Sequence, residues 1–226
     1  NRLVTFIDNH DMDRWGQTMK GNEELMKAAY NIIYTIPGIP QVYYGSEQGF
    51  DGECREGMFA GSYKTPGTTQ SADRFATTGD WYKYFQNLNK MRKENSVFRY
   101  NILSVLQDTK DSAGIFAYIV RETDKDRNII ENGKKAIFVM NTATTDKVLN
   151  ASYLNIAAGD KFELVPYEGI SVCPAGGTDI MDHFIATKDG SKGNVKLIVP
   201  ANSTAVYILK EAGAASESTD CVITVD

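Results

Sequence analysis

The apolar residues of this chain follow one rhythm up to about residue 96 and a different one beyond it. In the first part, Leu3–Ile7 is apolar or β-branched without polar alternation, which is typical of a strand buried on both faces. The run PQVYYG, which Gly45 ends, is a second strand of the same kind. Apolar residues at helical spacing follow each run, so the pattern predicts parallel strands joined by crossover helices.

Two helices of this first part can be delimited from the sequence. Asn22 is a suitable N-cap for the first helix, since two glutamates then lie in the first turn, and Pro37-Gly38 ends it. Asp80 is expected to cap the second helix. The predicted apolar faces are Leu25, Ala29, Ile32, Ile33 and Ile36 in the first helix and Trp81, Phe85, Leu88 and Met91 in the second.

Beyond residue 96 the apolar runs are short and are separated by turn-forming segments such as DTKDSAG and ENGKK. This pattern predicts antiparallel strands in a sandwich or Greek key arrangement. The runs are ILSVLQ, GIFAYIV, KAIFVMN, KFELV, VKLIVP and TAVYIL. We therefore predict a fold of the class α/β followed by all-β. The α/β part covers residues 1–96, an antiparallel β domain covers 97–210, and a tail or linker covers 211–226.

The first part cannot be a complete sheet. Two parallel strands and two helices form neither a closed barrel nor a covered sheet, because both sheet edges stay open. We therefore expect this part to be the end of a larger α/β unit whose beginning is absent from the chain. We also expect a second copy of the chain to cover the open strands in a crystal, in place of the absent part.

Charge and hydropathy narrow the classes of partner. The 226 residues carry a net charge of −5 without a cluster of Lys and Arg, so nucleic-acid binding is not expected. No apolar run approaches the roughly 18 residues that a membrane span needs, so no membrane partner is expected either. A mildly acidic surface suits a neutral substrate, which needs no electrostatic steering.

Polar residues follow both predicted strands at their carboxyl ends. Asp8-Asn9-His10-Asp11 comes directly after the first strand, and Glu47 follows the second. In α/β barrels the functional side chains lie at this end of the strands, where a carboxylate can stabilise positive charge, bind a metal or act in acid–base chemistry. A His-Asp dipeptide alone is better explained by a structural hydrogen-bonded pair.

The surrounding sequence is more specific than the dipeptide. FIDNHD is followed in order by GIPQVYYGSEQGF and DGECREGMFAGSY. Together these blocks resemble the alpha-amylase superfamily, glycoside hydrolase family 13, being similar to its motifs at barrel strands seven and eight and to an Asp-x-x-x-Arg loop of fungal-type secreted alpha-amylases. The β part, with its closing GNVKLIVPANSTAVYIL, resembles domain C of the family. The resemblance implies the last two strand–helix units of a TIM (β/α)8 barrel followed by an antiparallel β-sandwich.

The resemblance also implies roles for individual residues. Asp11 matches a catalytic carboxylate that grips sugar hydroxyls and favours the oxocarbenium-like transition state. His10 matches a histidine that hydrogen-bonds the same sugar. Asp51 and Arg55 match a pair that contacts glucose units further along the chain, although an incidental loop salt bridge explains them too. The implied substrate is an alpha-glucan such as starch or maltooligosaccharides.

Two further family positions are expected to be structural. Arg14 matches an arginine behind the site, and Glu47 is expected to hold the barrel floor together. The family's nucleophilic Asp and acid/base Glu belong to earlier strands, and retaining hydrolysis needs that pair about 5 Å apart. We therefore expect this chain alone to be inactive. No metal or other cofactor is expected in it, whereas calcium is expected in the full-length enzyme.

Three alternatives stay open at this point. A transglycosylase or α-glucosidase of the same family would share His10 and Asp11. A non-catalytic carbohydrate-binding or scaffold protein could also have kept the late barrel and domain C. A metal-dependent phosphohydrolase would use His10, Asp11 and Asp13 as metal ligands. Such a site needs further histidines, and the chain has only 2 in all.

The 3 cysteines are an odd number, so at least one of them lacks a partner within the chain. We expect a disulfide between Cys173 and Cys221, which would indicate an oxidising compartment. The sequons beginning at Asn150 and Asn202 are compatible with secretion. Together with the resemblance, these features favour a secreted or cell-surface protein.

Overall fold

The structure is a computed structural model, and it describes residues 3–20, 22–152, 161–170, 184–189 and 192–211. It begins with two short parallel strands, β1 (Val4–Thr5) and β2 (Ile39–Pro40), with Val4 opposite Ile39. Helices α1 (Trp15–Thr18) and α2 (Glu23–Thr35) lie between them in sequence. The predicted strand–helix–strand order is thus confirmed, although β1 is shorter than its apolar run and β2 shares only Pro40 with the predicted run PQVYYG.

The expected burial of these strands on both faces is wrong for this chain. Leu3 is 78% exposed, Ile39 53% and Phe6 45%. The physical reason is that β1 and β2 form a sheet of only two strands, so each has a single hydrogen-bonded neighbour and little to cover it. The carbonyls of Leu3 and Thr5 accept the backbone N–H groups of Ile39 and Gln41 and hold the pair together.

The predicted N-cap residue is correct for helix α2 and wrong for the helix that follows it. Asn22 caps α2, because its side chain accepts the N–H of Leu25 at 3.0 Å. Helix α3 (Asp80–Glu94) has Gly79 as its N-cap, without a side-chain cap, so the prediction that Asp80 caps it is wrong. Asp80 is instead the first helical residue, where its negative charge interacts favourably with the positive end of the helix dipole.

The buried face of α2 is rotated from the predicted one. Ile33 is buried, but its buried neighbours are Ala28, Tyr30 and Tyr34, and the predicted Leu25 and Ala29 are only half-buried. This rotation brings the tyrosines against α3. On α3 the predicted face is largely confirmed, with the buried residues Tyr84, Phe85, Leu88 and Met91.

A loop region separates β2 from α3. It contains a 3-10 turn over Ser46–Gln48 and a small antiparallel hairpin of β3 (Tyr63–Thr65) and β4 (Thr68–Thr69). No helix in the part of the chain that the structure describes is long and apolar enough to span a membrane.

The rest of the described chain forms one antiparallel sheet of eight strands, in the order β5-β6-β7-β12-β9-β10-β11-β8. The six predicted runs are all strands here, and two further strands, β8 and β10, were missed. The ends of the sheet approach each other, since Asn150 N donates to Gln107 Oε1. The strands are β5 (Asn101–Asp108), β6 (Ile115–Glu122), β7 (Lys135–Asn141), β8 (Lys147–Ser152), β9 (Lys161–Pro166), β10 (Phe184–Asp189), β11 (Lys192–Val199) and β12 (Ser203–Glu211).

Alternate residues of these strands enter two different cores. Ile115, Ala117 and Ile119 of β6 belong to a cluster made by strands alone, whereas Tyr118 and Val120 belong to a cluster shared with α2 and α3. The period of two expected of a strand therefore places the helices against one face of the sheet. The predicted boundary near residue 96 lies between α3 and β5, and the division into separate domains stays a prediction.

Candidate active site

The loop after β1 is fastened at its base by Asp8. The buried Asp8 carboxylate accepts the backbone N–H of Trp15, the first residue of α1, at 2.9 Å. This bond satisfies one of the N–H groups that a helix leaves unpaired at its start. The residues between Asp8 and Trp15, including His10 and Asp11, are thereby closed into a compact loop at the strand tip.

Burial gives Asp8 unusual electrostatics. Desolvation raises the pKa of the Asp8 carboxyl above its ordinary value, although the Trp15 N–H and the positive charge of Arg14 act in the opposite direction. Asp8 and Arg14, two residues of opposite formal charge, are both buried near the base of this loop.

His10 and Asp11 lie at the apex of this loop, open to solvent. His10 Nε2 is 3.2 Å from Asp11 Oδ2, and their side chains are 60% and 69% exposed. The backbone N–H of Asp11 donates to Asn9 Oδ1 at 2.8 Å, which closes a local turn. An exposed carboxylate beside an imidazole can accept hydrogen bonds from sugar hydroxyls while the imidazole donates to another.

The second loop reaches the same two residues. Arg55 Nη2 is 3.4 Å from Asp11 Oδ1, and its side chain is 64% exposed. The thiol of Cys54 donates to the carbonyl of His10 at 3.3 Å. The sequence predicts neither contact, because the partners are 44 residues apart.

Asp51 lies on the same loop as Arg55 and takes no part in the ion pairs found among the described residues. A Cβ placed on Gly16 would be 3.0 Å from both the Cα and Cβ of Asp51, so the loop packs directly on α1 at this point. The Asp51 side chain is exposed. Among the described residues Arg55 pairs with Asp11, so the structure does not show the Asp51–Arg55 salt bridge considered as an incidental explanation.

Arg14 anchors the second loop from the interior. Its fully buried guanidinium donates to the carbonyls of Tyr44 at 2.9 Å, Glu53 at 3.1 Å and Cys54 at 3.5 Å. Its central carbon also lies 4.8 Å from the ring centroid of Tyr43 and 5.0 Å from that of Phe50. These contacts explain why an arginine is needed here, since a lysine has neither the planar fork nor the stacking face.

Two glutamates organise the remainder of the loop. Glu47 Oε2 accepts the N–H of Gly45 at 2.9 Å, a local contact within the turn after β2. The expected role of Glu47 in holding the barrel floor together stays a prediction. Glu56 is buried and accepts from Gly52 N at 2.9 Å and from Gln70 Nε2 at 3.2 Å, a structural role that sequence analysis missed because a lone Glu gives no local signal.

Metal and cysteine chemistry add little to this site. The described residues include no group of three or more His, Cys, Asp or Glu arranged to hold a metal ion, and the calcium expected in the full-length protein stays a prediction. Cys54 is a free, half-buried cysteine. The proposed Cys173–Cys221 disulfide lies outside the described residues.

Comparison with known proteins identifies the group to which the chain is related. A profile of the alpha-amylase catalytic domain matches residues 1–121, which is more than half of the chain. The chain belongs to the alpha-amylase family. An alpha-amylase of Streptomyces lividans is 29% identical over 93% of the chain, and a cyclomaltodextrin glucanotransferase of Bacillus sp. (strain 38-2) is 35% identical over 44% of it.

Solved structures show the same fold. An Anoxybacillus alpha-amylase superposes on 95% of the chain with a TM-score of 0.63 and 18% identity, and the cyclomaltodextrin glucanotransferase CldA on 92% with a TM-score of 0.63 and 19% identity. The chain spans 39% and 36% of those structures, and 22% and 12% of the two curated relatives. Because those curated relatives are bacterial, the likeness to fungal-type enzymes is not confirmed.

Proposed function

We propose that this chain is the C-terminal portion of an alpha-amylase-type glycoside hydrolase, comprising the end of the catalytic barrel and domain C. In the full-length protein the reaction is retaining hydrolysis of internal α-1,4-glucosidic bonds in starch or related glucans. The observation that carries the proposal is the exposed Asp11 carboxylate, which lies beside His10 on the loop after β1. Family membership supports it.

Under this proposal Asp11 stabilises charge and the chain supplies one wall of the glucan cleft. Hydrogen bonds between a carboxylate and sugar hydroxyls strengthen as positive charge develops on the ring, and such bonds contribute several kcal/mol in glycoside hydrolysis. His10 donates to the same sugar, and Asp51 contacts glucose units further along. The nucleophile and the acid/base carboxyl belong to the preceding part of the protein, where calcium is also expected.

The test compares the 226-residue chain with the full-length protein on soluble starch. We expect the full-length protein to release reducing sugar, its Asp11→Asn variant to lose activity by about a hundredfold or more, and the chain alone to release none. Asp13→Asn, an exposed neighbour two residues away, is the matched control and should keep activity. Release of sugar by the chain alone, or an unaffected Asp11→Asn enzyme, would contradict the proposal.

A transglycosylase is the second candidate, favoured by the 35% identity to a cyclomaltodextrin glucanotransferase over 100 residues. Product analysis on maltooligosaccharides separates the two, since a transglycosylase makes products longer than its substrate or cyclic ones. Tight binding of maltoheptaose by the chain alone would instead favour a non-catalytic carbohydrate-binding protein. Secretion or display at the cell surface is part of the proposal and is tested by fractionating the producing cells.

A further inference from the structure

The carboxylate of Asp11 is held from two directions. His10 Nε2 lies 3.2 Å from Oδ2, and Arg55 Nη2 lies 3.4 Å from Oδ1. Each oxygen therefore lies near a nitrogen of a different residue, one from the neighbouring residue and one from the second loop. A carboxylate that is held at one oxygen can still turn about its bonds, whereas partners at both oxygens restrict it to one orientation.

The backbone that carries Arg55 is itself fixed relative to the tip. Buried Arg14 donates to the carbonyls of Glu53 and Cys54, the two residues before Arg55. The Cys54 thiol donates to the carbonyl of His10, so the same segment also contacts the backbone of the tip. Arg55 thus extends from a segment that is attached both beneath the tip and to it.

We propose that Arg55 is a positioning residue for Asp11, orienting the carboxylate toward the sugar, and this inference rests on the proposed function. An ion pair this exposed contributes little to the stability of the fold, so its removal should alter the site without unfolding the chain. Orientation matters because a reacting group that is slightly misplaced loses much of its effect on rate. This role differs from direct contact between Arg55 and glucose.

The first test uses the 226-residue chain without any glucan. In NMR of the chain labelled with ¹³C-aspartate, Arg55→Gln should move the Asp11 carboxyl resonance and average its side-chain couplings over several rotamers. Arg55→Lys should restore a shift close to that of the wild type. Arg127→Gln, an exposed arginine in the loop between β6 and β7, should change neither signal. An Asp11 resonance unaltered by Arg55→Gln would overturn the inference.

The second test measures starch hydrolysis by the full-length protein. If Arg55 acts through Asp11, Arg55→Gln should lower kcat by about tenfold with KM within about twofold, and Arg55→Lys should recover part of the loss. A raised KM with unchanged kcat would show that Arg55 binds sugar directly and would overturn the inference. If the wild-type protein hydrolyses no glucan, the proposed function fails, and the NMR result still decides whether Arg55 positions Asp11.

Discussion

At the scale of single residues, this site combines two buried ionisable side chains with two exposed ones. Arg14 and Asp8 are buried, while His10 and Asp11 above them face solvent. Buried charges are costly unless they are hydrogen-bonded or paired, and both of these have backbone partners. These backbone hydrogen bonds offset the cost of burying the two side chains. They also fix the loops that carry the exposed residues, among them Arg55.

Asp8 makes the stability of the protein depend on pH. Because burial raises its pKa in the folded state, the folded state favours the protonated carboxyl more than the unfolded state does. The stability that this contributes is complete below the ordinary value of 3.8 and is lost as pH rises through the raised pKa. Asp8→Asn removes this titration, so its melting temperature should equal that of the wild type near pH 3 and exceed it increasingly toward pH 7.

The companion variant Asp8→Ala separates charge from hydrogen bonding. It lacks an acceptor for the Trp15 N–H and should lower the free energy of unfolding by about 1 kcal/mol relative to Asp8→Asn at all pH values. Thermal unfolding followed by circular dichroism from pH 3 to pH 7 measures both variants. A difference between Asp8→Asn and the wild type that does not change with pH would contradict the assignment.

At the scale of elements, α2 is the connection between the helical part and the large sheet. Its buried Asn31 donates through Nδ2 to Ile170 O at 3.0 Å and to Thr204 Oγ1 of β12 at 3.4 Å. Its Oδ1 accepts from Tyr84 of α3 at 2.7 Å. One amide therefore joins two helices and a strand, with both of its polar atoms satisfied within the core.

We expect Asn31→Ala to be strongly destabilising for this reason. It removes a buried amide and leaves the Tyr84 hydroxyl and the Ile170 carbonyl with fewer partners, which should lower the free energy of unfolding by about 2–3 kcal/mol. Urea denaturation measures the change. Asn89→Ala is the matched control, since exposed Asn89 accepts a single bond from Tyr34, and it should cost less than about 1 kcal/mol. Equal losses would show that the Asn31 network is not a special connection.

At the scale of the whole molecule, the described residues include an exposed apolar face on the two-stranded sheet of β1 and β2. Val4, Phe6 and Ile39 are each at least 45% exposed, and they share one face because Val4 pairs with Ile39 and strand side chains alternate between faces. Contiguous apolar surface of this kind marks a site of association, and an open sheet edge adds unpaired backbone groups. Under the proposed function, the rest of the catalytic barrel covers this face, and for the chain alone we propose that a second copy does.

The chain alone should therefore self-associate through this face. The double variant Val4→Lys/Ile39→Lys, which alters a cross-strand pair on this face, should weaken association by about tenfold or more, because the charges cannot be buried without partners. Sedimentation velocity across a range of protein concentrations measures the effect. Ile129→Lys/Ile130→Lys alters two other exposed isoleucines, in the loop between β6 and β7, and should leave association unchanged. A chain that stays monomeric at high concentration would contradict the expectation.

The sequence by itself determined the features that depend on neighbours along the chain. The strand that ends at the Asp8–Asp11 tip, the Asn22 cap and the alternating residues of β6 all follow from local spacing. Strands β8 and β10 were missed because KVLNAS and FIATKD are short and rich in polar or small residues, so their apolar pattern is weak. Asp80 was misplaced because a cap depends on backbone angles that a residue type only favours.

Only the tertiary structure decided which distant groups meet. Arg55 contacts Asp11 across 44 residues of sequence, and Arg14 selects three carbonyls of a loop 30 to 40 residues away. Nothing in the local pattern encodes these contacts, since they arise when the parallel pairing of β1 and β2 brings the loops that follow each strand to the same end. The exposure of Leu3 and Ile39 is likewise a tertiary property, because apolar character states what a strand can bury and the neighbouring strands decide whether it is buried.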